Sequence, residues 1–289
     1  LVNNAGITKD NLFMRMKDDH MGNGQLKAGY NVQWSTQDQF ILQYSLHQDT
    51  TDTRTLIPHY RQMKAQLGQL PKAAVADAGY GSEQNYEYLE KEQVEAFVKY
   101  NYFHREGQKS HQEKHPFEQS RLHYNAQHNE YICPMGQPMR HIGDASTTNA
   151  AGHPTTVSRY QAANCGGCPL RGACHKAKGE RIIEVNHRLN ALKAQARERL
   201  TSPEGLHHRS TRPIEVESAF GNLKANKGFT RFMLRGIDKV SLEIGLLSTA
   251  VNLKKWARIV QKKADKGLQV ALDRVCWIAL GHLRTNAAA

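Results

Sequence analysis

The sequence predicts an α/β fold, and three observations carry that prediction. Along residues 28–100 the apolar spacing switches between two and about 3.6, so strands and helices alternate. The 289 residues can bury a sizeable core, as one large domain or two smaller ones, and no apolar run approaches 18 residues. The second half of the chain is mainly helical in pattern, with Lys and Arg on the polar faces.

The elements follow in order. Residues 28–47 read as a hairpin, two β-rich runs around the polar turn "STQDQ". Residues 51–68 turn helical, with Leu56, Ile57, Tyr60, Met63 and Leu67 at helical spacing. "KAAVADAGYG" is a short apolar strand that ends in Asp77 and glycines. "SEQNYEYLEKE" opens with a Ser cap and starts a helix, and "EAFVKY" supplies another strand. The order to about Tyr100 is β-β-α-β-α-β. From 101 to 181 the periodicity fails, and this polar, Cys- and His-rich segment reads as an insertion with little core of its own. Residues 182–200 and 214–263 read as helical, and the tail over 264–289 as one more amphipathic helix. Five segments result: 1–19, 20–100, 101–181, 182–263 and 264–289.

Charge narrows the partners. Residues 1–100 hold 10 Lys/Arg against 12 Asp/Glu, whereas the rest hold 29 against 15. A basic second half suggests a polyanion, most often nucleic acid, with a merely solvated basic surface as the bland reading. With no leader or membrane span, the chain reads as cytoplasmic, and with no initiator Met as a fragment.

Two stretches bear chemistry. Asp77 ends a buried strand, and Glu217, Phe220 and Lys224 follow at i, i+3 and i+7, which a regular helix would put on one face. Two-metal phosphodiester chemistry needs such carboxylates on rigid elements, with Mg²⁺ taking oxygen ligands. The bland readings are a turn Asp and an exposed helix pair. Four cysteines, Cys133, Cys165, Cys168 and Cys174, have knuckle spacing suited to structural zinc, with His175 as a substitute ligand. An iron–sulfur cluster and unliganded thiols are the other readings. Cys276 reads as a small buried hydrophobe.

The opening "LVNNAGITKD", continued by "NLFMRMKDD", resembles the 3-oxoacyl-acyl-carrier-protein reductases of the short-chain dehydrogenase family. That likeness implies a nicotinamide cofactor, but it stops near residue 19. "GNGQLKAG" lacks the spacing and setting of a pyrophosphate-binding turn, so no nicotinamide is expected. Tyr60 and Lys64 form a Tyr-x-x-x-Lys pair with Tyr60 on the apolar side of its helix, as chance would place it.

Residues 12–263 resemble the C-terminal two-thirds of a bacterial insertion-sequence DDE transposase. "FMRMKDDHMGNGQLKAGYNVQ", "FILQYSLHQDTTDTRTLIPH", "VADAGYGSEQNYEYLE" and "RPIEVESAFGNLKANKGFTRFMLRGIDKV" carry the likeness. It implies a ribonuclease-H-like core with a Cys-rich insertion and a helical C-terminal part. Asp77 and Glu217 would be catalytic and hold Mg²⁺ or Mn²⁺. Arg212, Lys224, Lys227, Arg231 and Arg235 would contact DNA. The implied partners are the element's terminal inverted repeats and target DNA, with a homodimer as an allowed assembly and the nucleoid as the setting. The family's first catalytic Asp has no match, since Asp10, Asp18 and Asp19 do not align with it. The expectation is therefore a truncated, chimeric and inactive transposase. A DNA-binding remnant without catalysis and a reductase fragment are the alternatives.

Overall fold

The computed structural model describes residues 2–4, 12–15, 26–149, 151–229 and 231–285, without the side chains of residues 2–15, 27 and 267–285. Most of the reductase-like segment and the side chain of Cys276 therefore lie outside the described residues. In chain order the strands are β1 (Val2–Asn4), β2 (Leu12–Arg15), β3 (Leu26–Gln37), β4 (Phe40–His47), β5 (Ala73–Ala76), β6 (Glu95–Val98), β7 (His123–Asn125), β8 (Glu130–Ile132), β9 (Pro138–Thr148), β10 (Pro154–Ala162), β11 (Ile182–Val185) and β12 (Arg231–Phe232). The helices are α1 (Leu56–Leu67), α2 (Glu83–Lys91), α3 (Lys109–Lys114), α4 (His187–Thr201), α5 (Pro203–Arg212), α6 (Ser218–Gly221) and α7 (Ile237–Thr285). The class is α/β. Two compact units form, one from residues 1–50 with 213–289, the other from 51–212.

In the first unit β3 is the spine, pairing antiparallel with β1, β2 and β4, while β12 runs parallel to β1. The expected hairpin is β3–β4. Its turn residues Asp38 and Gln39 both have positive φ, as a type I′ turn demands. Neither is Gly, so neighbours hold the turn. The Gln39 amide donates to Glu215 at 2.6 Å, and the Lys255 ammonium donates to the Asp38 carbonyl. One face of the hairpin packs Tyr30 with Phe232, Val240 and Ile244. Trp34 and Ile41 pack with Ala219, Leu223 and Val251. α7 thus meets the sheet through Val240, Ile244 and Val251, a helical stripe of the expected period.

In the second unit β5 and β6 form a parallel pair joined by α2. Ser82 caps α2 by accepting from the Asn85 amide, as its sequence signature predicts. Leu56, Tyr86, Leu89, Phe97, Val98, Tyr100, Leu192 and Leu200 are among the residues of the core over this pair. Burying them is what fixes α1, α2 and α4 against the strands.

Two expectations fail here. The segment after 101 was expected to have little core, yet β7 to β11 form a five-stranded antiparallel sheet in sequential order. That sheet buries Tyr131, Met139, Tyr160, Ala162, Cys165, Ile183 and Val185. Its long strands are polar on both faces, so hydrophobic alternation does not mark them, and the backbone ladder carries much of the order. Residues 182–185 were expected to be helical but form β11, with Asn186 as the cap that starts α4 one residue later. Ile182–Val185 is a four-residue run with three β-branched side chains, too short for periodicity to separate strand from helix.

Candidate functional site

Asp77 stands directly after β5, at the carboxyl end of a parallel strand. The chain then makes a single 3-10 turn over Ala78–Tyr80, closed by the Tyr80 amide donating to the Asp77 carbonyl at 3.1 Å. Buried Asn85 holds this turn, its side-chain amide donating to the Tyr80 carbonyl at 2.8 Å and the Thr53 carbonyl at 2.9 Å. The Thr53 hydroxyl donates to the Gly79 carbonyl at 3.0 Å. Two glycines make room. A Cβ on Gly81 would lie 2.3 Å from the Lys99 carbonyl oxygen, and one on Gly79 would lie 3.2 Å from an Asp52 carboxylate oxygen.

The Asp77 carboxylate is half exposed and accepts from the largely buried Arg212 guanidinium at 2.7 Å. Arg212 ends α5, whose Gly205 lies so close to the Arg199 carbonyl that a Cβ there would fall 2.0 Å from it. Tyr80 completes the surroundings. Burial first, then the charge of Asp52, pushes its hydroxyl well up, with Arg212 opposing. Asp52 is the group that sequence reasoning passed over. It sits in a 3-10 turn across from Gly79, and no local pattern distinguishes it from an ordinary turn Asp.

Glu217 belongs to the other unit, on a helical run from Pro213 to Asn226 whose first and last turns are π-type. Ala219 and Leu223 face its core, and Phe220 stacks on Trp34 with centroids 4.2 Å apart at 17°. Glu217 is exposed and Lys224 half-buried. The π turns wind wider than 3.6 residues, so the same-face reading of Glu217 and Lys224 does not carry over from a regular helix. Lys227, Arg231 and Arg235 are exposed, and Arg231 starts β12. The structure thus brings Asp77 together with Arg212, and sets Glu217, Lys224, Lys227, Arg231 and Arg235 on the first unit.

The knuckle-spaced cysteines lie near one another in the second unit. Cys133, Cys165, Cys168, Cys174 and His175 line one cavity with Arg171 and Arg181, and all four thiols are free. Tight turns present them, with Gly136 at φ 78° after Cys133 and Gly167 at φ 67° between Cys165 and Cys168. Arg181 donates from its backbone to the Cys165 sulfur at 3.4 Å and from its guanidinium to the Cys174 sulfur at 3.0 Å. Both ring nitrogens of His175 are buried without a hydrogen-bond partner. Burial above all pushes the Cys165 thiol up. The donors suit a soft metal ion, and the orphaned imidazole fits a ligand's place. Among the described residues, however, no three His, Cys, Asp or Glu side chains converge closely enough to hold an ion.

Tyr60 and Lys64 have other duties. Burial pushes the Tyr60 hydroxyl well above its ordinary value, which opposes proton transfer, and Lys64 pairs with Glu92 at 2.5 Å.

Residues 132–257 match the family model of the transposase DDE domain. The match spans less than half of the chain and runs from the strand before Cys133 through the Cys-rich segment to α7. Glu217 and the five basic residues lie inside it, whereas Asp77 lies outside. Neither a curated protein nor a solved structure matches the chain. The match supports a transposase function, with DNA as the partner such a domain implies, and nothing supports the reductase reading. No helix among the described residues is long and apolar enough to cross a membrane.

Proposed function

We propose that the chain works on DNA as a DDE-type transposase of an insertion sequence. It would engage the terminal inverted repeats and the target, cut the element ends and join their 3′ ends by transesterification. The observation that carries this reading is the transposase-domain match over 132–257, which includes Glu217 and its basic neighbours. Asp77 supports it, since a carboxylate at the carboxyl end of a half-buried parallel strand suits a rigid catalytic position. DDE domains use divalent metal ions, and Asp77 and Glu217 would hold Mg²⁺ or Mn²⁺ here, which would polarise the attacking and leaving oxygens. Lys224, Lys227, Arg231 and Arg235 would neutralise phosphates. Arg212 would orient Asp77 and meet phosphate once a metal takes over the carboxylate.

A structural zinc ion on Cys133, Cys165, Cys168 and Cys174, or with His175 in place of one thiol, would anchor the loops at the end of the antiparallel sheet. An iron–sulfur cluster or free thiols are the competing readings, and metal analysis of purified protein separates the three.

A second reading, DNA binding without catalysis, draws on one observation. Asp77 is paired with the Arg212 guanidinium at 2.7 Å. Nicking of supercoiled plasmid with Mn²⁺, alongside binding of a short duplex at rising salt, tests both. Nicking lost in Asp77→Ala and Glu217→Ala supports the transposase. Salt-steep binding without nicking supports the second reading, and salt-independent binding refutes both.

A further inference from the structure

α7 carries two apolar faces. The first, Val240, Ile244 and Val251, is buried against the β3–β4 hairpin. On the opposite side stand Leu242, Leu246, Leu253, Trp256 and Val260, each 46–64% exposed. At ~100° per residue these five fall within an arc of about 80°, centred roughly opposite the buried stripe. They recur at spacings of four and three, so with Thr249 they form an uninterrupted seam over 242–260. Thr249 brings no unsatisfied group into it, because its hydroxyl donates to the Gly245 carbonyl at 3.0 Å. Lys255, Arg258 and Lys262 lie on the far side of the helix, and exposed Ala250 and Ala257 flank the seam. A seam of this kind on an exposed helix needs an apolar partner.

We infer that this seam joins two copies of the chain, α7 against α7, antiparallel about a two-fold axis at the level of residue 251. Three features select a second copy in that orientation. The seam is self-complementary when reversed: Leu242 meets Val260, Leu246 meets Trp256 and Thr249 meets Leu253, each pair setting a larger residue against a smaller one or leaving room for it. A parallel pairing would instead set Trp256 on Trp256. The axis falls at the level of residue 251, between Thr249 and Leu253 of the seam, and Lys255, Arg258 and Lys262 turn outward, so their charge does not oppose contact there. Covering the five residues would bury roughly 600 Å² per copy, which brings the pair to about 1,200 Å², the lower bound for a specific interface. The assembly is therefore a reversible dimer, and it stands independently of the catalytic reading.

Light scattering of the full chain at micromolar concentrations, with three variants, tests this. Wild type should be dimeric, and Leu246→Glu and Trp256→Lys should each raise the dissociation constant by about 100-fold or more. Neither residue is in a core, so circular dichroism should stay native. The double variant carrying both changes should dimerise again, because each Glu then faces a Lys of the other copy. Parallel packing would set Glu on Glu and give no rescue. A monomeric wild type, a dimer indifferent to the single changes, or single changes that the double variant does not rescue would each overturn the proposal.

Discussion

Replacing Gly81 with Ala should destabilise the unit of residues 51–212 out of proportion to one methyl group. The new Cβ would lie 2.3 Å from the Lys99 carbonyl oxygen, 2.6 Å from the Tyr100 Cα and 3.0 Å from the Lys99 carbonyl carbon. Ordinary contact requires the two backbones to part by roughly 1 Å, and neither can do so freely. On one side, Lys99 donates to the Ala76 carbonyl at the end of the β5–β6 pair, and Tyr100 is 2% exposed. On the other, Asn85 and Thr53 tether the turn after Asp77. Overpacking of this kind costs about 1–3 kcal/mol. Loosening one tether adds about 1 kcal/mol. At about 2–4 °C per kcal/mol for a unit of this size, the melting temperature should fall by roughly 5–15 °C. Differential scanning calorimetry measures it, with Gly107→Ala as control, since a Cβ on Gly107 meets nothing within 4 Å. A Gly81→Ala protein that melts with wild type would show that the Asp77 turn is not wedged against β6, and the argument for a rigid Asp77 would fall with it.

Trp34→Ala should cost the first unit about 3–5 kcal/mol, read by urea unfolding, because it empties a buried site and removes the surface on which Phe220 stacks. Arg212→Met should change stability by no more than about 1 kcal/mol, since its partner Asp77 is 51% exposed, yet it should weaken any Mn²⁺-dependent nicking. Equal nicking in both proteins would dissociate Arg212 from the site. Cys165 should be the slowest of the four clustered thiols to react with iodoacetamide near pH 8, because burial keeps it protonated. The same shift has a stability consequence. An acid whose folded value is raised loses its proton first in the unfolded state, so its contribution is whole below about pH 8.5 and declines as pH rises. Stability above that pH should therefore fall less steeply in Cys165→Ser than in wild type.

The sequence by itself determined the elements whose own residues bury a periodic face. The β3–β4 hairpin, α1, the β5–α2–β6 unit and the Ser82 cap were legible because alternation and capping act over a few residues. Asp77 was legible as the end of β5 for the same reason. Only the tertiary structure decided what depends on residues far apart in the chain. The sheet from β7 to β11 is held by ladders between polar strands, whose energy lies in backbone groups that every residue carries, so no side-chain pattern announces it. The two-residue β12 is a strand through its parallel pairing with β1, more than 200 positions away. Arg212 reaches Asp77 across 135 positions, and Asp52 comes beside Gly79 because two 3-10 turns pack together. These contacts are consequences of chain closure, which fixes distances that local spacing does not encode.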